Sequence, residues 1–332
     1  MVKSPAKSNM SKDWIEWVPN ISEGKNPEFI NDLVNKLNLI TDVYVIHKDI
    51  GLDAHRTVLT VIGTKEALET AVDQLMFQLE RNVDMSGHIG KHPRLGALDV
   101  SPFIPLNGKN VEDTIDWTRS LAQTIAQKYS LPIYLYEKSA KIQTRKNLAT
   151  IRKGEYENLS NKMKLPEWKP DFGEKFNPYL GATVMGVRDF LVAYNVNLES
   201  KNQIIAKKIA SIVRTKGAGK RPYALPGLKA IGWYMDSFGK IQISTNIVDT
   251  TQTTMVEVFD RCKTLAAGYG IEVQESELIG LIPRTMLIKM KEKTGLSNIE
   301  LAKKLGLGFC GITDLEERTI EYNFTKISGV RL

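Results

Sequence analysis

The 332-residue chain has only two cysteines, Cys262 and Cys310, far apart and in no metal or redox spacing. A disulfide framework is therefore not expected, and the usage fits a reducing, cytoplasmic compartment. No run approaches the ~18 apolar residues of a membrane span. The opening MVKSPAKSNMSKDW has no apolar stretch, so residues 1–13 read as a flexible N-terminus and not as a signal peptide. No zinc-finger or RNA-reading aromatic motif is present. Acidic residues are the minority, 38 against 45 Lys and Arg, leaving a net charge of +7. Such an excess can draw nucleic acid, a membrane surface or a small anion. Here it is spread along the chain, and even TKGAGKRPYALPG (215–227) is only moderately basic. The expectation is a solvated surface or a polyanionic metabolite, with no nucleic acid and no membrane as partner.

Hydrophobic periodicity supplies the organisation. WIEWVPNIS (14–22) is a short strand broken by Pro19. PEFINDLVNKLNLI (27–40) is a helix opening on proline. VYVIHKDI (43–50) and RTVLTVIG (56–63) pair as strands around Gly51. Residues 64–82 form an amphipathic helix with Thr64 as N-cap. ALDVSPFIPL (97–106), a helix over 111–130 and a strand over 132–139 follow. Residues 153–181 have neither period and read as a long ordered connection. The pattern then restarts, with a strand at 189–198, a helix at 203–215, a strand pair within 229–248, a helix at 253–270 and a strand at 271–276. This order predicts a duplicated α/β sandwich, helices over a largely antiparallel sheet in each half, with a ligand cleft between the halves. KMKEKTGLSNIELAKKLGLGF reads as helix able to pack across both.

Two of the four histidines, His88 and His92, stand in GHIGKHPRLGALDVSPFIPL (87–106). A spacing of four suits two metal ligands on a helix, but Gly87, Gly90, Pro93 and Gly96 oppose a helix, and only Asp84 and Asp99 stand near as further ligands. A structural loop is the plainer reading. Against it stands the assembly of a histidine, which titrates near neutrality, with Arg94, which suits bidentate grasp of a carboxylate, among glycines that let backbone approach a ligand. Group transfer on a small carboxylate-bearing substrate needs those parts.

VPNISEGKN, DMSGHIGKHPRLGALDVSPFIPL, LPIYLYEKSA, RKGEYENL, WKPDFG and GATVMGVRDFLVAYNVNL resemble glutamate formimidoyltransferase, the transferase half of formimidoyltransferase–cyclodeaminase. The likeness runs from about Trp14 to Phe324. It implies two ferredoxin-like βαββαβ subdomains, placed at 14–180 and 181–332, with a folate channel between them. It implies transfer of the formimidoyl group from N-formimidoylglutamate to tetrahydrofolate, which is a co-substrate and can carry a polyglutamate tail. No metal is implied.

By the same resemblance the general acid/base is His92 and not His88, assisted by the carboxylate of Asp49. Folate contacts fall on Gly173, Glu174, Lys175, Phe176, Asn177, Pro178, Tyr179, Leu180 and Gly181, and on Tyr223, Ala224 and Leu225. Of the aromatics near the first stretch, Phe172, Phe176 and Tyr179 can either stack a folate ring or pin the connection to the core. Lys220 and Arg221 are candidates for the folate tail. Arg56 matches a family arginine and either holds a substrate carboxylate or forms a structural ion pair. His55 stands where the family has asparagine, and His47, among apolar neighbours, reads as structural. The resemblance implies a homodimer and, because no helical cyclodeaminase half follows in these 332 residues, a separate cyclodeaminase as partner. The alternative is formyl transfer between N-formylglutamate or 5-formyltetrahydrofolate and the folate pool. A third reading is a non-catalytic folate- or nucleic-acid-binding protein.

Overall fold

Proline and a bulge set the geometry of the first sheet. The computed structural model describes residues 12–106, 110–215 and 222–332; Lys220 and Arg221, and most of the expected N-terminal tail, lie outside them. The first strand is two pieces, β1 (Ile15–Trp17) and β2 (Asn20–Ile21), because Pro19 has no N–H to give the ladder. Helix α1 (Pro27–Asn38) is capped by the Asn26 side chain, which accepts from Phe29 N–H at 3.0 Å, and it buries Phe29, Ile30, Leu33 and Leu37. Strands β3 (Val43–Gly51) and β4 (Arg56–Gly63) pair antiparallel, and α2 (Lys65–Asn82) follows from Thr64 as expected. Strand β5 (Leu98–Pro105) completes the ferredoxin-like order β3-β4-β1/β2-β5.

In β3, Val45 faces Val61 but His47 faces Thr60, so Ile46 is an extra residue. Directly opposed residues share a face of the sheet. Val43 and Val45 therefore point into the helix-covered core with Leu59 and Val61, whereas His47 and Asp49 share the other face with Thr60 and Val58.

Helix α3 (Val111–Tyr129), β6 (Ile133–Leu135), two single-turn helices α4 (Leu148–Ile151) and α5 (Leu159–Lys162), and β7 (Thr183–Val187) extend the fold beyond the simple sandwich. Strand β7 runs parallel between β5 and β6, giving a seven-stranded sheet. This corrects two expectations. TVMGV is a strand that sequence reading left unassigned, and the division of the chain moves from 180/181 to 188/189, since Asp189–Lys326 forms one compact unit and the preceding chain, with Ile327–Leu332, the other. The connection is ordered, as expected. Arg145 grips Asp171 at 2.9 Å and the carbonyls of Glu167 and Lys169, and Lys162 donates to the carbonyls of Ile151 and Lys153.

The second unit repeats the plan with β8 (Val192–Leu198), α6 (Gln203–Val213), β9 (Leu228–Met235), β10 (Lys240–Ile247), α7 (Met255–Ala267) and β11 (Glu275–Ile279). Its sheet order is β11-β8-β10-β9, antiparallel throughout. Helices α8 (Arg284–Thr294), α9 (Asn298–Lys304) and α10 (Ile320–Ser328) follow. The stretch read as one C-terminal helix is two. Gly295 takes φ +70° and Ser297 with Glu300 forms a capping box. Met286, Leu287, Met290, Leu301 and Leu305 join the core of the second unit.

Candidate active site

The histidine loop is fastened to the connection by backbone. Ala97 N–H donates to Leu180 O at 2.9 Å, Ala182 N–H to Leu95 O at 3.1 Å, and Met85 N–H to Tyr179 O at 2.9 Å. Gly96 and Gly181 cross in contact. A Cβ on Gly96 would lie 2.4 Å from Leu180 O, and one on Gly181 only 2.1 Å from Leu95 O, with φ at +68°. No other residue type fits either place.

Beyond the crossing the chain turns into β5, and Asp99 comes to the middle of a charged cluster. Asp99 is fully buried. It accepts from Leu95 N–H at 2.8 Å, from Arg56 Nη1 at 2.7 Å and from Arg152 Nη2. Burial alone would raise its carboxyl, but the charges of Arg152 and Arg56 and the amide bring it to about 2. Arg56 gives its other donors to Asn20 Oδ1, at 3.2 and 2.9 Å from Nε and Nη2. Burial draws its guanidinium down to about 10 against the pull of Asp99. Of the two readings of Arg56 the structure therefore gives the ion pair, and the carboxylate it holds belongs to the protein.

His92 lies beside this cluster. Its Nδ1 is 2.8 Å from Pro93 O, and a carbonyl only accepts, so Nδ1 carries the hydrogen and Nε2 the lone pair. Burial first, then the charges of Arg56 and Arg152, hold it well below the ordinary histidine value. The result is a neutral imidazole with a defined tautomer, the state of a general base.

His88 has a different occupation. Nε2 donates to His55 O at 3.1 Å, and Nδ1 accepts from Arg94 Nε at 3.1 Å. Both ring nitrogens are engaged, which leaves no lone pair for a metal. Burial brings the ring to about 4. Arg94 is likewise filled. Nη1 reaches Glu155 and Glu157 at 3.2 and 3.0 Å, and Nη2 reaches His88 O and Glu157 at 2.9 and 2.6 Å. With Nε on His88, all five of its donors have protein acceptors. These residues border an open depression of about 350 Å³ together with Ile89, Gly90 and Gly154.

His55 takes φ +48°, a conformation that histidine tolerates better than most residues. Its ring stacks on His88 at 4.1 Å, Nδ1 donates to Ile89 O at 2.9 Å, and Nε2 stands 3.4 Å from Glu23. On β3, Asp49 is bonded to His47 at 3.0 Å. The extra residue at Ile46 turns His47 out of the core and onto the face that carries Asp49.

The expected folate stretch resolves into parts. Asn177 Oδ1 accepts from Tyr179 and Leu180 N–H at 3.0 and 2.9 Å, a tight turn, and Leu180 is core. Phe172 and Phe176 pack partly buried against the apolar clusters. Glu174, Lys175, Pro178 and Tyr179 are exposed, Tyr179 at 63%. Gly173, at φ +73°, abuts Leu131 O where a Cβ would lie at 2.3 Å. In the second unit Tyr223 is exposed beneath Arg261, Ala224 is half-buried, and Leu225 is a core residue. Burial makes the Leu180 and Leu225 side chains packing residues.

Sequence reasoning missed Arg152, Glu157 and Asn20. Arg152 and Glu157 stand in RKGEYENL and Asn20 in VPNIS. Nothing local in those strings indicates that Arg152 reaches Asp99, 53 positions away.

Residues 14–188 match the formiminotransferase domain, N-terminal subdomain, and residues 193–325 the formiminotransferase domain. Formimidoyltransferase-cyclodeaminase of Mus musculus is 37% identical over 321 residues, covering 93% of this chain and 59% of the mouse protein. The chain thus spans about three fifths of that relative. Glutamate formimidoyltransferase of Streptococcus pyogenes serotype M1 is 37% identical, with 84% of this chain and 92% of that protein aligned. The protein of that name from Thermoplasma acidophilum is 35% identical, with 82% and 89% aligned.

Proposed function

We propose, on the premise that this chain belongs to the formiminotransferase family, that it transfers a formimidoyl group from N-formimidoyl-L-glutamate to tetrahydrofolate, as in histidine degradation. The observation that carries the reading is His92, a neutral imidazole with Nδ1–H on Pro93 O, beside the charged cluster of Arg56, Asp99 and Arg152.

The chemistry follows from that state. The folate N5 adds to the amidine carbon to give a tetrahedral intermediate, and the C–N bond to the glutamate nitrogen breaks as that intermediate collapses. N5 loses its proton to His92 Nε2, and His92 returns a proton to the departing nitrogen, leaving 5-formimidoyltetrahydrofolate and glutamate. One residue serves as base and then acid. Asp49, with His47 beside it, is assigned the stabilisation of the imidazolium that forms between the two steps. Tetrahydrofolate is a substrate here, with the exposed Tyr179 as an aromatic face available to it. The proposal extends to a cytoplasmic homodimer and to a separate cyclodeaminase that receives the product.

A steady-state assay with tetrahydrofolate tests this, offering N-formimidoylglutamate and N-formylglutamate in parallel to wild type and His92→Ala. The expected outcome is turnover of the formimidoyl donor, reduced by about 10²- to 10⁴-fold in the variant. Turnover of the formyl donor alone would reassign the donor while keeping the histidine. Turnover of neither would sink the reading.

A further inference from the structure

The Asp99 cluster holds two positive charges and one negative. Arg56 has all its nitrogens on protein acceptors, Nη1 on Asp99 and the other two on Asn20. Arg152 does not. Its one partner among the described residues is Asp99, reached through Nη2. Its Nε is buried with no partner, and the side chain as a whole is only 13% exposed. Asp99 hydrogen-bonds both guanidinium groups, but its single negative charge, fully buried, balances only one of their two positive charges. Arg94, the other arginine of the loop, is saturated by His88, Glu155 and Glu157.

An uncompensated charge held in a poorly hydrated place is unfavourable unless an anion completes it. A guanidinium with open donors on a rigid frame is suited to a carboxylate, which can take two parallel hydrogen bonds from it. Arg152 is also electrostatically coupled to His92, so an anion bound to it lies in the neighbourhood of the proposed base.

We propose that Arg152 is the receptor for a carboxylate of the glutamyl donor. This rests on the transferase reading and deepens it by naming what holds the donor. With the carboxylate bound, the cluster holds two charges of each sign, and the positive field facing His92 is offset. The base therefore gains basicity once the donor is in place. Glutamate carries the same carboxylate after transfer and competes for the same arginine until it leaves.

The test uses the full chain as wild type, Arg152→Gln and Arg152→Lys, with each substrate varied at saturation of the other. Arg152→Gln is expected to raise KM for N-formimidoylglutamate by about 10- to 100-fold and to leave KM for tetrahydrofolate within about twofold. Competitive inhibition by L-glutamate weakens in parallel. In wild type the acid limb of kcat lies at higher pH than that of kcat/KM, and the gap closes in Arg152→Gln. A purely structural role would move neither that gap nor the two KM values selectively. An unchanged donor KM, or equal changes for both substrates, would overturn the assignment, and a shift confined to tetrahydrofolate would place the folate tail on Arg152 instead of the donor. Should Arg152→Gln fail to fold, Arg152→Lys keeps the charge and loses the fork, and an unaltered glutamate affinity in it overturns the proposal. Calorimetry with L-glutamate separates the two readings. Wild type that binds glutamate through Arg152 but turns over no donor keeps the receptor and removes the transferase.

Discussion

Arg56 and Asp99 form a buried ion pair at 2.7 Å, and the same carboxylate answers Arg152. Replacing Asp99 with asparagine leaves two guanidinium groups without their anion, so the expected loss is about 3–5 kcal/mol, read as a fall in the urea midpoint at pH 7. The sign of the pH dependence follows from the depressed carboxyl. Asp99 sits at about 2 when folded against an ordinary 3.8, so its contribution is full above about pH 4 and fades as pH falls towards 2. About 2 kcal/mol is involved. Asp99→Asn flattens that part of the stability profile, and a profile unchanged by the substitution would contradict the ion pair's role.

His88 gives a second, separate acid sensitivity. Its folded value of about 4 lies under the ordinary 6.5, so the unfolded chain takes up a proton that the folded one refuses. Stability present above pH 6.5 is lost as pH falls towards 4, by about 2 kcal/mol after allowance for solvent screening. His88→Asn is expected to lower stability at pH 7, since it removes the bonds to Arg94 and His55, and to shrink the difference between denaturation midpoints at pH 7 and pH 4.5. Equal differences in the two proteins would show that other groups carry the effect.

Activity has its own pH signature. His92 is held well below 6.5 by burial and by Arg56 and Arg152, and the neutral ring is the reactive form. kcat/KM is therefore expected to be level from pH 6.5 upward through neutrality and to fall only at lower pH. A limb centred at or above 6.5 in the free enzyme would speak against His92 as the base in this environment.

Gly181→Ala is expected to cost at least about 2 kcal/mol, because the new methyl would enter Leu95 O and the backbone is left-handed there. Thermal melting checks it. Gly87→Ala, in the same glycine-rich region but with open space around a Cβ, is the control expected to change little.

Most of the frame was legible from pattern alone. The helices over 27–40 and 64–82 and the strand pair over 43–63 have clean periods and caps, and the second half repeats their order. Strand β7 was not legible, since TVMGV is buried at every position and a short buried parallel strand shows no alternation. The site was less legible than the frame. His92 was singled out by the family resemblance and not by its local sequence, and the partners of Arg56, Arg94 and Arg152 were not legible either, since an arginine's partner 53 or 63 positions away leaves no mark on its own neighbourhood. The face that His47 takes was not legible, as one extra residue in β3 exchanges the two faces and no sequence period records it.

Gly96 and Gly181 touch although 85 positions separate them, by direct subtraction of their numbers. Glycine-rich loops are commonly taken for hinges, yet here the missing side chains let two backbones meet and lock. The crossing acts as a weld. The segment bearing His92 cannot swing outward unless the backbone at Leu180 and Ala182 is released with it, so amide hydrogens of Ala97 and Ala182 are expected to exchange together and slowly, as one cooperative unit. Ligand entry in such a frame falls to side-chain motion and to the exposed turns around it, while the base keeps its position from one turnover to the next.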